Sequence, residues 1–136
     1  MKTALVVDCS TVLAWAFDDE LSEKADRAMM LAAERGMVAP AIWWYEVRNT
    51  LVVAERRRRL DATRARDVLE ALAELNPVFD FDHDDDAIVS LANVHGLTIY
   101  DAAYLEVAQR RGLPLATLDK RLLRAAKTAR IEVVTT

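Results

Sequence analysis

Short apolar runs alternate along this chain with longer segments whose apolar residues recur at helical spacing. The first run, residues 4–7, is a continuous stretch of Ala, Leu and Val that stops at Asp8. Continuous runs of this length are typical of strands buried on both faces, as in parallel sheets. Similar short runs follow at residues 37–39, 78–81, 113–118 and 131–134. The alternation predicts an α/β fold, a three-layer α/β/α sandwich with a central, mostly parallel sheet.

The segments between these runs carry helix boundaries as well as helical periodicity. The sequence predicts helices that end at Gly36, Gly96 and Gly112. It also predicts helices that begin at Asp61 and at Asp84–Asp86. The longest predicted helix covers residues 41–58, and its expected buried face holds Trp44, Val47, Leu51 and Ala54. Other helices are expected at residues 10–17, from about 21 to 36, from 61 to before Pro77, and at 84–96, 101–112 and 120–129.

Composition limits the class of protein. With 136 residues, of which 53% are hydrophobic and 29% charged, the chain suits a single domain over residues 1–136 with a substantial core. The single cysteine, Cys9, excludes an internal disulfide and suits a reducing compartment. No run approaches the roughly 18 apolar residues of a membrane span, and Met1–Lys2 leads into a strand without a signal-peptide pattern. The expected location is cytoplasmic, with no membrane partner.

The net charge of −4 hides a segregation of charge along the chain. Negative charge gathers at Asp18–Glu20 and at residues 80–86, where helix capping explains the acids better than a calcium loop. Positive charge gathers at Arg56–Arg59, which suits a solvated helix end, and after Asp119. Segregated charge of this kind can bind an anion locally although the whole chain is acidic.

Four acids fall where parallel folds place their sites, at the carboxyl ends of strands and the helix starts beside them. Asp8 ends the first strand, Asp119 follows LATL, Asp101 opens a helix, and Glu46 lies one turn into the helix after Pro40. Each has an alternative: Asp8, Asp101 and Asp119 could cap helices, and Glu46 could be solvated. If they meet, two charges about 4 Å apart repel by about 4 kcal/mol at an effective dielectric of about 20. Protonation, or a hard divalent cation such as Mg²⁺ or Mn²⁺, would relieve that repulsion.

Three segments, LVVDCS, PAIWWYEVRNTL and HGLTIYDAAYLEVAQRRGLPLATLDKRL, resemble PIN-domain ribonucleases. More narrowly, they resemble the toxins of VapBC-type toxin–antitoxin pairs. The resemblance runs in order over nearly the whole chain, and its most specific part is TIYDAAYLEVA followed by LATLDKRL. It implies a single PIN-like nuclease domain and a Mg²⁺- or Mn²⁺-dependent endoribonuclease. The implied products carry a 5′-phosphate and a 3′-hydroxyl.

The resemblance also implies roles for particular residues. The catalytic and metal-binding residues would be Asp8, Glu46, Asp101 and Asp119. The residues expected to orient ligands or water are Ser10, Asn49 of the ExxN pattern and Thr117 of the TxD pattern. Because they follow the acidic site directly, the residues interpreted as RNA phosphate contacts are Lys120, Arg121 and Arg124.

Partners follow from the same resemblance. The family implies RNA as substrate, a cognate antitoxin whose tail blocks the site, and a homodimer. The aromatic residues Trp15, Trp43, Trp44 and Tyr45 could stack bases, but core or partner surface is the more usual role of such residues. Trp44 is placed in the core, and the residues proposed to line an antitoxin groove are Trp15, Phe17 and Trp43.

Other functions remain open at this point. A Mg²⁺-binding phospho-receiver would need adjacent acids after the first strand, where DCS supplies one. A haloacid-dehalogenase-type phosphatase would need DxD there, and a dinucleotide-binding domain would need GxGxxG, whereas no glycine precedes Gly36. A non-catalytic RNA-binding or scaffold domain of the same PIN-like fold is a further alternative, which the presence of all the acids disfavours.

Overall fold

The computed structural model describes residues 3–17 and 22–135, so the predicted acidic cluster at Asp18–Glu20 and the Met1–Lys2 start lie outside the described residues. Within that part of the chain, strands and helices alternate as predicted. The strands are β1 (Leu5–Val7), β2 (Met37–Pro40), β3 (Val78–Asp80) and β4 (Leu115–Ala116). The helices are α1 (Cys9–Ala16), α2 (Glu23–Arg35), α3 (Ile42–Arg56), α4 (Ala62–Glu74), α5 (Asp85–His95), α6 (Ile99–Arg111) and α7 (Lys120–Thr128).

The four strands form one parallel sheet in the order β3-β2-β1-β4, flanked by the helices, which confirms the three-layer prediction. The chain adds β2 and β3 on one side of β1 and then returns to place β4 on the other side. The carboxyl ends of β1 and β4 therefore form a topological switch point, the usual position of a site in such sheets. Both strands are fully buried, as their continuous apolar sequences predict.

Helix boundaries follow the local sequence closely. Gly96 and Gly112 end α5 and α6 in the left-handed conformation, at φ values of 63° and 64° that favour glycine. Asp61 and Asp84 cap α4 and α5 by accepting hydrogen bonds from backbone N–H groups, as predicted. None of the described helices combines the length and the apolar character needed to cross a bilayer.

Four sequence predictions are wrong in detail. The strand at residues 113–118 is reduced to β4, and the predicted last strand contributes only a single bridge between Val133 and Leu115.

The buried face of α3 holds Trp43, which is 1% exposed, whereas Trp44 is 44% exposed. Trp44 lies three residues before Val47 and Trp43 lies four residues before it, and both spacings fit the same face of a helix. In the folded chain, Trp43 is the one that packs in the core. Trp43 and Phe17 are core residues, so the groove proposed from Trp15, Phe17 and Trp43 does not exist in that form.

A buried ionic cluster, absent from the sequence predictions, fastens β3 to the end of α6. Asp80 is the last residue of β3, and its side chain is completely buried. It accepts hydrogen bonds from both Arg110 and Arg111, at 2.7 Å from Nη2 of Arg110 and 2.5 Å from Nε of Arg111. Arg110 also binds Glu106 one turn earlier at 2.9 Å. Asp80 thus joins an edge strand to a helix, in place of the helix-capping role expected of it.

Candidate active site

Strand register brings the first predicted acid next to the chain's last strand. Val7 of β1 pairs with Ala116 of β4, so the residues that follow them, Asp8 and Thr117, emerge side by side. The Thr117 hydroxyl donates to Oδ2 of Asp8 at 2.5 Å, across a sequence separation of more than a hundred residues. The switch point therefore holds a carboxylate and a hydroxyl that the sequence places at opposite ends of the chain.

Asp8 is 4% exposed, and polar neighbours surround its carboxylate. Ser10 donates to its two oxygens at 2.8 and 3.0 Å, and the backbone N–H of Thr11 donates to Oδ1 at 3.0 Å. The last bond makes Asp8 the N-cap of α1, which confirms the capping alternative for this residue. A carboxylate held by several donors has one fixed orientation, as a metal ligand or catalytic group requires.

The same hydroxyls position the segment that carries Asp119. The backbone N–H of Asp119 donates to Oγ1 of Thr117 at 3.0 Å, and that of Leu118 donates to the Ser10 hydroxyl at 3.1 Å. Asp119 itself caps α7 by accepting from the N–H of Leu122 at 2.9 Å, which confirms the predicted cap. Ser10 and Thr117 thus connect Asp8 to the loop after β4.

Glu46 lies in the second turn of α3, and its carboxylate is held by a residue that the sequence analysis missed. The hydroxyl of Tyr104 on α6 donates to Oε1 of Glu46 at 2.5 Å. Tyr104 is 1% exposed, and a buried tyrosine hydroxyl normally finds a partner. The available signal was its place three residues after Asp101, on the same face of one helix.

Asp101 lies in the first turn of α6 rather than at its start. Thr98 is the N-cap and accepts a hydrogen bond from the backbone N–H of Asp101 at 3.1 Å, so the helix begins at Ile99, earlier than predicted. The Asp101 side chain is partly exposed, and it interacts with the negative charge of Asp119 and the positive charge of Arg121. Thr98 and Asp101 are both good residues for a helix start, and an acid in the first turn still interacts favourably with the helix dipole.

Each of the four predicted acids interacts electrostatically with at least one of the others. Burial raises the pKa of Asp8, against the hydrogen bonds from Thr117, Thr11 and Ser10. Burial also raises the pKa of Glu46, and the charges of Asp101 and Asp8 raise it further. The pKa of Asp101 is raised by burial and then by the charge of Asp119. Each acid therefore lies within electrostatic reach of another, and together they form one anionic region.

Two neutral neighbours respond to the same negative field. Burial, together with the charges of Glu46 and Asp8, raises the pKa of the Cys9 thiol to about 12. The same causes raise the pKa of Tyr104 far above its usual range, and its hydrogen bond to Glu46 adds to the effect. Both side chains consequently stay protonated at neutral pH, so Tyr104 is a hydrogen-bond donor to Glu46.

The donor atoms of this region fit a hard divalent cation, because they are carboxylate and hydroxyl oxygens. In residues 3–17 and 22–135, no three Asp, Glu, His or Cys side chains are close enough together to ligate one ion as they stand. Mg²⁺ does not need such a cage, since it commonly binds through one or two carboxylates and keeps several waters. The chemistry of the donors therefore fits the ion, with water completing its coordination.

The predicted phosphate contacts lie at the start of α7, beside the acids. Lys120, Arg121 and Arg124 are all exposed, and the positive charge of Arg121 lowers the pKa of Asp101. Arg121 and Arg124 line one open cleft of about 560 Å³ together with His95 and Gly96. Asn49 is exposed on α3 and lines a second pocket with Glu46. The acidic region thus adjoins a cleft whose charged side chains are cationic.

Replacing Tyr104 by Phe isolates the hydrogen bond to Glu46. The ring stays in the core, the partner of Oε1 is lost, and the pKa of Glu46 rises further because a donor to its charged form is gone. We expect Tyr104→Phe to keep its fold by circular dichroism and to lower any metal-dependent RNA cleavage by about 10- to 100-fold. An unchanged rate across the metal titration would show that Tyr104 does not position Glu46.

Replacing Asp101 by Asn tests the anionic region without reference to activity. Because the native pKa of Asp101 is raised, the folded chain binds its proton more tightly than the unfolded chain. The free energy of unfolding of the wild type therefore decreases relative to that of the variant as pH rises. The decrease begins near the ordinary carboxyl pKa of about 4 and is complete above the raised pKa of Asp101 in the folded chain. We expect thermal unfolding in EDTA to show Asp101→Asn more stable near neutral pH, with the difference shrinking toward pH 4.

The control for that measurement is Asp67→Asn, which removes an exposed acid of α4. Its unfolding temperature should follow that of the wild type at every pH. A difference between Asp101→Asn and wild type that stays constant between acidic and neutral pH would contradict the raised pKa.

Comparison with known proteins agrees with this geometry. The sequence model of the PIN domain matches residues 5–128. Ribonuclease VapC3 of Pyrobaculum aerophilum is 37% identical over 121 residues, which cover 87% of this chain and 91% of the relative. Exonuclease VapC9 of the same organism is 37% identical over 86 residues, which cover 62% of this chain and 63% of that relative.

Solved structures show the same fold. PAE2754 from Pyrobaculum aerophilum superimposes with a TM-score of 0.73 at 28% identity, over 96% of this chain and 83% of that one. A toxin–antitoxin complex from Klebsiella pneumoniae matches with a TM-score of 0.66 at 20% identity, over 97% of both chains. FitAcB from Neisseria gonorrhoeae gives 0.65 at 20% identity, over 96% of both. With a family model that spans most of its length and a relative matched almost end to end, this chain belongs to the PIN domain family.

Proposed function

We propose that the chain is a Mg²⁺- or Mn²⁺-dependent endoribonuclease and the toxin of a toxin–antitoxin pair. The observation that carries the proposal is the meeting of Asp8 and the Asp119 segment at the sheet's switch point, where the Thr117 hydroxyl hydrogen-bonds to both. Glu46 and Asp101 lie within electrostatic reach of these acids. The name of the relative Ribonuclease VapC3 supports RNA as the substrate. Membership of the PIN domain family removes the phospho-receiver alternative.

The proposed metal ligands are the same four acids, and three of them are oriented by identified neighbours or by their place in the fold. Asp8 is oriented by Ser10 and Thr117, Glu46 by Tyr104, and Asp119 by its position at the start of α7. A divalent ion bound there would supply Lewis-acid activation of water and neutralise charge on a phosphate. Ser10, Thr117 and Asn49 are proposed to orient the ligands and water around it.

Substrate binding is assigned to the exposed cations beside the acids. The residues assigned to neutralise the RNA backbone next to the scissile phosphate, which the acids alone would repel, are Lys120, Arg121 and Arg124. All three are exposed, and Arg121 and Arg124 line the open cleft. We also propose a cognate antitoxin and a second copy of this chain as protein partners. A toxin–antitoxin complex among the structural neighbours supports the antitoxin. The cytoplasm is the proposed location, because it is where cellular RNA would be met.

The experiment that tests this function separates cutting within a strand from cutting at an end. The purified protein is incubated with a circular RNA and a linear RNA of the same sequence, with EDTA, Mg²⁺ or Mn²⁺. We expect metal-dependent cleavage of both RNAs, because an endonuclease needs no free end. Cleavage of the linear RNA alone would indicate an exonuclease. Binding of RNA without cleavage in any metal would leave the non-catalytic RNA-binding or scaffold alternative as the better account.

A further inference from the structure

We propose that Tyr45 and Tyr100 hold a nucleobase of the RNA beside the acidic site, and this inference rests on the proposed function. The two tyrosines line one open pocket with Ile42, Glu46 and Asn49. Tyr45 belongs to α3 and Tyr100 to α6, so the pocket lies between the two helices that supply Glu46 and Asp101. Each tyrosine directly precedes one of those acids in the sequence.

Both rings are unusually open to solvent for aromatic residues. Tyr45 is 64% exposed and Tyr100 is 58% exposed, whereas Tyr104, which serves Glu46 from within the core, is 1% exposed. Exposed aromatic faces beside a charged site are typical of surfaces that stack nucleobases, since every base offers a π-face. Packing in the hydrophobic core therefore does not explain why either residue is aromatic.

Tyr45 is also braced for such a contact. Its ring packs edge-to-face against Trp44 at 5.0 Å between centroids. The guanidinium carbon of Arg48 lies over the Trp44 ring, 4.0 Å from the ring centroid. A ring held by neighbours loses little conformational freedom when a ligand stacks on it, so more of the stacking free energy appears as affinity.

The polarity of the pocket suits a nucleobase, which offers hydrogen-bonding edges as well as a π-face. The pocket volume of about 290 Å³ lies just below the range of about 300–1,000 Å³ that is common for drug-sized ligands. Glu46 and Asn49 form one wall, so an occupant meets carboxylate and amide groups as well as aromatic faces. A phosphate placed at the acids carries its own nucleoside, and that nucleoside needs a resting place close by.

The test measures RNA binding in EDTA, where no cleavage occurs, by fluorescence anisotropy of a labelled oligoribonucleotide. We expect Tyr45→Ala and Tyr100→Ala each to weaken binding by roughly 5- to 100-fold, the usual effect of losing one stacking contact. Tyr45→Phe and Tyr100→Phe keep the ring and should bind as the wild type does. Phe81→Ala is the matched control, because Phe81 is an aromatic residue that is 71% exposed and does not line this pocket. Phe81 lines a neighbouring apolar groove, to which Tyr45 also contributes.

A second ligand isolates the base from the phosphate. An oligoribonucleotide of the same length with all bases removed should bind wild type and both alanine variants equally, since only backbone contacts remain. Alanine variants that bind the intact oligonucleotide as tightly as wild type overturn the stacking assignment. If the wild type nevertheless cleaves RNA with Mg²⁺, the proposed nuclease function stands although the stacking assignment has failed. If the wild type neither binds nor cleaves RNA, both fall.

Protein partners of the same surface are separate outcomes. Size-exclusion chromatography of each variant reports the oligomeric state, and co-purification with the co-expressed cognate antitoxin reports that complex. A variant that keeps RNA affinity but changes its oligomeric state, or loses the antitoxin, would assign the tyrosines to a protein interface and overturn the proposal.

Discussion

Asp8→Asn is expected to slow metal-dependent RNA cleavage severely while making the protein more stable to heat. Asparagine keeps the shape of the side chain, and its carbonyl oxygen can still accept from the Thr11 N–H that starts α1. The charge that would bind a divalent ion is lost. Metal activation is worth several kcal/mol, so the rate should fall on the order of 10³-fold.

The gain in stability has a separate cause. The Asp8 carboxyl is buried, and its pKa is raised by that burial, so its charged form destabilises the folded chain at neutral pH. A neutral amide removes this penalty, and the unfolding temperature in EDTA should rise. Cleavage rates are measured on circular RNA with Mg²⁺, and unfolding is followed by circular dichroism.

Asp61→Asn is the control for this prediction. It makes the same substitution at the exposed N-cap of α4, where Asp61 accepts from the N–H of Arg64 at 2.7 Å. We expect near wild-type cleavage and little change in stability, because asparagine caps helices about as well as aspartate. If Asp8→Asn cleaved RNA within tenfold of the wild-type rate, Asp8 would not be a metal ligand of the reaction.

Asp80→Asn is expected to cause the largest loss of stability among the substitutions considered. Asp80 is a completely buried carboxylate that binds two arginines, whose side chains remain 31% and 37% exposed. Breaking a fully buried pair costs about 3–5 kcal/mol, and the partial exposure of the arginines reduces this to about 2–3 kcal/mol. Near 136 residues, such a loss lowers the unfolding temperature by roughly 6–15 °C.

The pH dependence of this loss gives an independent check. The hydrogen bonds from Arg110 hold the pKa of Asp80 well below its usual range. Its contribution is therefore fully present above the ordinary carboxyl pKa of about 4, and it is lost progressively as pH falls from there toward the lowered native value. Unfolding of Asp80→Asn and wild type is compared at pH 7 and pH 3, where the difference should narrow.

Asp82→Asn provides the matched control, because Asp82 is an exposed acid two residues further along the same segment. Its unfolding temperature should remain near that of the wild type. Equal stability of Asp80→Asn and Asp82→Asn at pH 7 would show that the ionic cluster does not fasten β3 to α6.

The sheet and the positions of the acids could be predicted because they depend on local sequence. Apolar runs that stop at Asp8 and before Asp119 mark strand ends, and parallel strands place those ends at one edge. The roles of individual site residues remain predictions. Ser10 and Thr117 contact Asp8 as expected of residues that orient a ligand.

The remaining features depend on contacts between distant elements. Tyr104 and Asp80 could not be assigned because their partners, Glu46 and the two arginines, are distant in sequence. Trp43 and Trp44 were exchanged because neighbouring helix positions fit the same periodicity, and only the sheet distinguishes them. The start of α6 was misplaced because Thr98 and Asp101 both have capping side chains.

The pairing of β1 with β4 has a consequence for synthesis of the protein. Asp8 leaves the ribosome more than a hundred residues before Thr117 and Asp119 do. Since chains emerge and fold from the N-terminus, a nascent chain that ends at α6 has three of the four acids but lacks the strand that completes the switch point. The proposed centre is therefore incomplete until the segment that carries β4 and Asp119 has been synthesised.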